Sequence, residues 1–98
     1  MRVIYKLMHV KGYEDSVIAL FPEIAGDSCP YSTCLSYMHV GQHGAASVEL
    51  ASYPPARPTD YRELHNELTK QVGYDLTISN RFSQKDLDKR ILQTTVNQ

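Results

Sequence analysis

The sequence predicts an α+β fold, with a mostly antiparallel five-stranded sheet that carries two helices on one face, in the order ββββαβα. Three observations predict it. Short alternating or continuous apolar runs, bounded by Gly and Pro, fill the first half of the chain. Two segments with a helical apolar stripe follow in the second half. The 98 residues match the usual length of one domain, so we expect residues 1–98 to form a single layered domain.

The first half of the chain predicts four strands. Arg2–Met8 alternates between two faces, as a half-buried strand does. Ser16–Phe21 is almost continuously apolar, which is typical of a strand covered on both faces, so we place it in the middle of the sheet. Thr33–Val40 and Ala46–Ser52 are predicted as the third and fourth strands, joined by a tight reversal at Gly41–Gly44.

A proline-rich segment and a helix follow the fourth strand. Pro54–Pro58 fits neither a helix nor a central strand, so we expect a stiff connector. Thr59 or Asp60 is predicted to cap a helix that runs to about Val72. Gly73 then stands where a left-handed residue commonly ends a helix.

The last two elements have local signals of their own. Tyr74–Ser79 alternates and predicts the fifth strand. Ser83 and Asp86 have the spacing of a capping box, which predicts the start of the second helix. We expect this helix to fray after Thr95.

Charge and hydropathy exclude several classes of partner. The net charge is −1 and the pI about 6.4, and no cluster of Lys and Arg stands out. Binding to nucleic acids or to anionic membranes needs such a cluster, so we expect neither. No apolar run reaches the length of a membrane-spanning helix, and the two cysteines are too few for a disulfide framework. The sequence therefore predicts a cytoplasmic protein with reduced thiols.

One stretch without charged side chains, Ser28–Val48, contains most of the residues with chemical potential. Both cysteines and two of the four histidines lie in it. An exposed hairpin ordinarily carries Lys or Glu, which deter pairing with other strands. The missing charges therefore predict that this stretch is covered, either by the rest of the chain or by another chain.

The first candidate site in this stretch is a zinc site. Its ligands would be Cys29, Cys34, His39 and His43, a set of thiols and imidazoles of the kind that zinc prefers. The spacing differs from that of the familiar zinc fingers. Cys34 and His39 are also an odd number of residues apart, so a regular strand points them to opposite faces. Zinc binding stays an alternative, and we expect no metal or other cofactor.

The second candidate is a small enzyme with a cysteine nucleophile and a histidine base. Cys34 and His39 cannot form this pair, because a regular strand points them to opposite faces. Cys29 could approach His43 or His65 through the fold, but no motif for an oxyanion hole accompanies them. We therefore expect no catalytic residues, and a Cys/His-dependent enzyme is the second alternative.

The leading interpretation is a non-enzymatic accessory or binding protein. Its candidate binding residues are Tyr37, His39, Gln42 and His43, because flat amphipathic side chains suit interfaces. Five short strands and two helices leave an edge or a face uncovered, and self-association covers it most simply. We expect a homodimer in contact through the Thr33–Ser52 hairpin, with another protein as a possible further partner.

The middle third of the chain resembles a family of short uncharacterised bacterial proteins. The resemblance is carried by Val17–Glu23, which ends in Phe-Pro-Glu, and by the pattern Cys34-x-Ser36-Tyr37-x-His39-Val40-Gly41-Gln42-His43-Gly44. Some members are associated with mobile elements. The resemblance implies a bacterial protein in which the Gly41–Gly44 turn and its flanking strands are a signature, and it transfers no activity, ligand or catalytic residue.

Overall fold

A computed structural model of the protein describes residues 1–8, 16–38 and 42–95. It confirms the α+β fold class, with five strands and two helices. The strands form one sheet in the order β4-β3-β2-β1-β5, in which β5 pairs with β1 in parallel and all other pairs are antiparallel. Their bounds are β1 Arg2–Met8, β2 Ser16–Phe21, β3 Thr33–Met38, β4 Gln42–Ser47 and β5 Thr77–Ile78.

The two helices lie where the sequence predicts them. The first, α1, spans Pro58–Asn66 and continues through wider, π-type turns over Glu67–Val72. Gly73 ends it with a left-handed φ of 88°, as expected of a helix terminus. The carboxylate of Asp60 accepts a hydrogen bond from the Arg57 N–H at 2.9 Å, so the helix begins slightly before the predicted caps.

The second helix, α2, spans Gln84–Thr95, and its predicted capping box is confirmed. The Ser83 N–H donates to the Asp86 carboxylate at 2.8 Å, and the Asp86 N–H donates to the Ser83 hydroxyl at 3.3 Å. These two bonds satisfy backbone donors that the first turn of a helix otherwise leaves free.

The predicted fourth strand, Ala46–Ser52, is wrong in position. The strand lies earlier, at Gln42–Ser47, and Val48–Ser52 forms a 3₁₀ turn. The physical reason is the side chain of Ser47, which accepts the Glu49 N–H at 3.2 Å and so favours a turn over continued extension. Gly44 consequently pairs with Ser36 inside the ladder, whereas the sequence had placed it in the reversal.

The fifth strand is shorter than predicted from Tyr74–Ser79. Only Thr77 and Ile78 pair with β1, and Ile78 is 42 % exposed although the alternation predicts that Tyr74, Leu76 and Ile78 point inward. The rest of the outer edge of β1 pairs with the proline-rich connector. The Leu7 N–H donates to the Pro54 carbonyl at 2.9 Å, and the Ala56 N–H donates to the Tyr5 carbonyl at 3.1 Å. The connector therefore takes up backbone hydrogen-bonding groups on the outer edge of β1 that β5 does not reach.

The sheet buries apolar side chains on both faces. On one face, Leu64 and Leu68 of the first helical segment pack over Val3, Tyr5 and neighbouring residues. On the other face lies a second cluster of buried and partly buried residues: Ile4, Ile18, Leu20, Cys34, Ala46, Met8, Met38, Leu50 and Phe82. The two clusters together bury both faces of β2, as its continuous apolar run predicts, and they bury both faces of β1 as well.

The sequence predicts both helices on one face of the sheet, whereas α2 begins beside the face opposite α1. The start of α2 lies beside the second cluster, where Phe82 packs and where Asp86 forms an ion pair with Arg2. Arg2 alternates with Val3 along β1, so its side chain leaves the sheet on the face opposite α1. The buried charges of α2 direct this placement, and apolar periodicity alone does not reveal it.

Ion pairs and hydrogen bonds anchor α2. Asp86 is 2 % exposed and bound by the Arg2 guanidinium. Arg90 is also buried and donates to the Pro30 carbonyl at 2.9 Å and to the Pro22 carbonyl at 2.6 Å. Buried charges are tolerated when they are paired in this way. Burial by itself raises the pKa of Asp86, but the hydrogen bonds from Arg2 and Ser83 outweigh it and hold the pKa below its ordinary value.

We expect replacement of Asp86 by Asn to lower the free energy of unfolding at pH 7 by about 3 kcal/mol, because it leaves Arg2 without its ionic partner. Since the pKa of Asp86 is depressed in the folded state, its stabilising effect is present above the unfolded pKa and is lost as the pH falls through the folded value. Denaturant unfolding from pH 7 down to pH 2 measures both effects.

Asp88→Asn is the matched control, because Asp88 lies on an exposed face of the same helix. We expect it to change the free energy of unfolding by less than about 0.5 kcal/mol. An Asp86→Asn protein with the stability and acid profile of the wild type would show that the ion pair does not anchor α2.

Candidate functional site

The most open hydrogen-bonding surface of the described residues is the outer edge of β4. This strand is the last in the sheet, and β3 is the one strand of the described residues that pairs with it. Gln42–Ser47 contains no Asp, Glu, Lys, Arg or Pro. His43, Gly44, Ala45 and Ser47 are exposed, whereas Ala46 is buried in the second cluster.

Two hydrogen bonds show which backbone groups of β4 point outward. The Val48 N–H donates to the Ser32 carbonyl at 2.9 Å, and the Leu35 N–H points away from β4, to the Ile24 carbonyl at 2.9 Å. Backbone groups alternate along an antiparallel ladder. Residues 42, 44 and 46 of β4 therefore bond to β3, and the N–H groups of His43, Ala45 and Ser47 face away from the sheet, as do the C=O groups of His43 and Ala45. The Ser47 C=O already accepts the first bond of the following 3₁₀ turn, and its second lone pair remains for a partner.

Close contacts hold the strand in place. The Ser36 hydroxyl donates to the Gly44 carbonyl at 2.9 Å. Gly26 lies so close to β3 and β4 that an added Cβ would come within 2.6 Å of the Cys34 carbonyl oxygen and 2.8 Å of the Ala45 Cα. Only glycine fits there, and the loop before β3 is thereby packed against the hairpin.

An aromatic network joins the hairpin to the segment after α1. The His43 Nε2 and the Tyr74 hydroxyl are 2.9 Å apart, and the ring centroids of Tyr37 and His43 are separated by 4.7 Å. The hydroxyl of Tyr37 hydrogen-bonds to Glu67. Burial, and next the hydrogen bond to this carboxylate, raise the pKa of Tyr37. The network therefore holds the side chains of Tyr37 and His43 in place on one face of the hairpin. The raised pKa keeps Tyr37 protonated.

A second aromatic group lies on the same face of the sheet. The rings of Tyr5 and Tyr61 are stacked at 4.4 Å, and the Tyr5 hydroxyl is 2.8 Å from the His65 Nδ1. Burial and then the neighbouring Tyr61 raise the pKa of Tyr5. Both histidines of the described residues thus lie within hydrogen-bonding distance of a tyrosine hydroxyl, His43 beside Tyr74 and His65 beside Tyr5.

A shallow depression of about 320 Å³ lies beside β4 on the opposite face. Apolar side chains dominate its lining, which includes Met8, Ile18, Met38 and Leu50. No Asp, Glu, Lys or Arg of the described residues lines it. Ser36 and His43 also line it, but the Ser36 hydroxyl is bonded to the Gly44 carbonyl and the His43 ring to Tyr74. The depression therefore lacks, among the described residues, free polar groups that would hold a small molecule in one orientation.

The predicted binding residues occupy different environments. Tyr37 is 4 % exposed and lies inside the network, and His43 is exposed at the edge. His39 and the side chain of Gln42 lie outside the described residues, as do Val40 and Gly41 of the predicted turn. The role of these residues in binding a partner stays a prediction.

The proposed zinc ligands are separated where the structure describes them. Cys34 belongs to the second cluster, whereas His43 lies on the opposite face beside Tyr37 and Tyr74. Cys29 is in an exposed loop, where its N–H donates to Asp27 at 2.8 Å. Among the described residues no three His, Cys, Asp or Glu side chains converge on a point that could hold a metal ion.

The Cys34 thiol is a poor nucleophile. Burial raises its pKa to about 11, although Arg90 acts in the opposite direction. The reactive species is the thiolate, so very little of it is present at neutral pH. The geometry of the described residues therefore offers no support for a Cys34-dependent enzyme.

The sequence predicts the hairpin but not which backbone groups lie on its outer edge. The residues that present free backbone groups are His43, Ala45 and Ser47, and of these only His43 was a candidate. The signal lay in the uncharged run itself, since no residue of it deters strand pairing. Its interpretation required the register, because a shift of one residue exchanges outward and inward groups.

Comparison with protein-family models, curated proteins and solved structures finds no match for this chain. None of the described helices has the length and apolar character needed to cross a membrane. The geometry of the chain itself therefore carries the functional argument.

We expect the two thiols to differ sharply in reactivity. In the folded protein at pH 8, Ellman's reagent should modify Cys29 rapidly and leave Cys34 unmodified, because Cys34 is buried and holds its proton. Both should react in denaturant. Cys29→Ser is the control, and rapid modification of this variant in the folded state would reveal a reactive Cys34 and revive the enzyme hypothesis.

Proposed function

We propose that the protein is a non-enzymatic accessory protein that binds a second copy of itself through the Thr33–Ser52 hairpin, with β4 as the contact strand. The observation that carries this proposal is the exposed, uncharged edge of β4. A free edge offers a template on which another strand can form hydrogen bonds.

Other proteins with such an edge usually protect it. Lysine, proline, a bulge or a covering loop prevents another strand from pairing. None of these protects the outer side of β4 among the described residues, and its exposed side chains are small or uncharged. An edge of this kind supports binding as its role.

The rigidity of the hairpin also supports the proposal. The bonds of His43 to Tyr74 and of Ser36 to Gly44 hold the strand in an extended form before any partner arrives. A strand that is already ordered loses little conformational entropy on binding, and this favours association. The same surface could accept a strand of another protein, which is the second partner that the sequence suggests.

The proposed setting is the cytoplasm of a bacterium. Two cysteines without a disulfide fit a reducing compartment. The interface of a single strand pair is small, so we expect reversible dimerisation at micromolar or higher concentrations rather than a permanent dimer.

Sedimentation velocity from micromolar to submillimolar concentration tests the proposal. We expect a monomer–dimer equilibrium in the wild type, and a dissociation constant at least about tenfold higher in Ala45→Pro. Proline removes the outward N–H and its hydrogen bond but no bond to β3.

Ala45→Ser is the control, because it retains the N–H and adds no charge; we expect it to dimerise like the wild type. Equal thermal unfolding of the diluted variants shows that each monomer is intact. A wild type that stays monomeric over the whole range would refute self-association through this edge.

A further inference from the structure

The register of β4 points to one particular arrangement of the two copies. We infer that two β4 strands pair antiparallel about a two-fold axis that passes between Ala45 and the partner's Ala45, joining the two five-stranded sheets into one of ten strands. This inference rests on the proposed function and adds the register of the interface to it.

A pair of strands centred on Ala45 uses all the outward-facing residues of β4. Only His43, Ala45 and Ser47 present backbone groups outward within β4, as the bonds of Val48 and Leu35 establish. Centring the pair on Ala45 places His43 opposite the partner's Ser47 and Ala45 opposite the partner's Ala45. All three outward residues of each copy are then paired. Centring on Gly44 or Ala46 leaves one of the three without a partner inside the strand.

The side chain at the proposed axis is small and uncharged. A two-fold axis places a residue opposite its own copy, so a charged residue at the centre would meet an equal charge. Ala45 is small and uncharged, and its exposed side chain lies on the same face as that of His43. The self-pairing therefore brings no like charges together, which explains physically why a strand in this position has none.

The symmetric pair leaves both folds unchanged. The hydrogen bonds of residues 44 and 46 to β3 are on the inner side of the strand and remain in place. His43 keeps its bond to Tyr74 because the side chain stands out from the sheet, whereas the new bonds lie in its plane.

A charge-exchange experiment tests this register. Ala45→Lys and Ala45→Glu each place like charges at the two-fold axis, so each variant alone should dimerise with a dissociation constant at least about tenfold above that of the wild type. An equimolar mixture should form the Lys/Glu heterodimer with a dissociation constant within about threefold of the wild type. Sedimentation gives the constants, and native mass spectrometry distinguishes the heterodimer by its mass.

Ala45→Gln is the matched control, since it has a long side chain without charge and should dimerise by itself. Added salt should reduce the difference in dissociation constant between the Lys/Glu heterodimer and the two variant homodimers, because it screens exposed charges. Thermal unfolding of the diluted variants verifies that each one is folded.

The outcomes separate the register from the proposed function. A wild-type dimer whose Lys and Glu variants are both weakened, and are not restored by mixing, would overturn the register while leaving self-association through β4 in place. Lys and Glu variants that both dimerise like the wild type would remove β4 from the interface. A monomeric wild type would refute the proposed function and the register together.

Discussion

The requirement to cover both faces of the central strands determines how the rest of the chain is arranged. β1 and β2 contain runs of consecutive buried residues, so apolar side chains leave the sheet in both directions. The first helical segment covers one face, and on the other Leu50 and Phe82 pack into the second cluster. The outer side of β1 pairs with the proline-rich connector and β5, so among the described residues the edge strands of the sheet are β4 and the two-residue β5, and β4 is the longer of the two.

Electrostatic contacts complete what apolar burial begins. Asp86 and Arg90 are the buried charges of α2, and their partners come from the first strand and from the loop between β2 and β3. The Lys89 ammonium adds a contact of 2.6 Å with the Glu23 carboxylate. These contacts tie the end of the chain to its beginning. The same loop contains Gly26, which packs on the hairpin, so the position of β4 is connected to the docking of α2.

Local signals in the sequence predict most of the helices and strands. The candidate site depends on contacts between residues far apart in the sequence, and local signals do not reveal these. Alternation predicts β1, a continuous apolar run predicts β2, and the Ser83–Asp86 spacing predicts the start of α2, because these signals act between near neighbours. The Ser47 cap displaced the fourth strand, since one side-chain hydrogen bond outweighs weak alternation. The placement of α2 depends on the contact between Arg2 and Asp86, which are far apart in the sequence and carry no periodic signal. Likewise, only the register of β3 and β4 shows that Cys34 and His43 lie on opposite faces of the sheet.

The open edge of β4 gives the protein one surface that differs from the rest, and its defining property is the alternation of backbone groups. Residue-resolved amide hydrogen exchange tests this property most directly. At concentrations where the dimer forms, we expect slow exchange at five consecutive positions, 43 to 47; on dilution, 43, 45 and 47 should lose protection while 44 and 46 keep it. Fast exchange at 43, 45 and 47 at every concentration, with 44 and 46 protected throughout, would contradict pairing through β4.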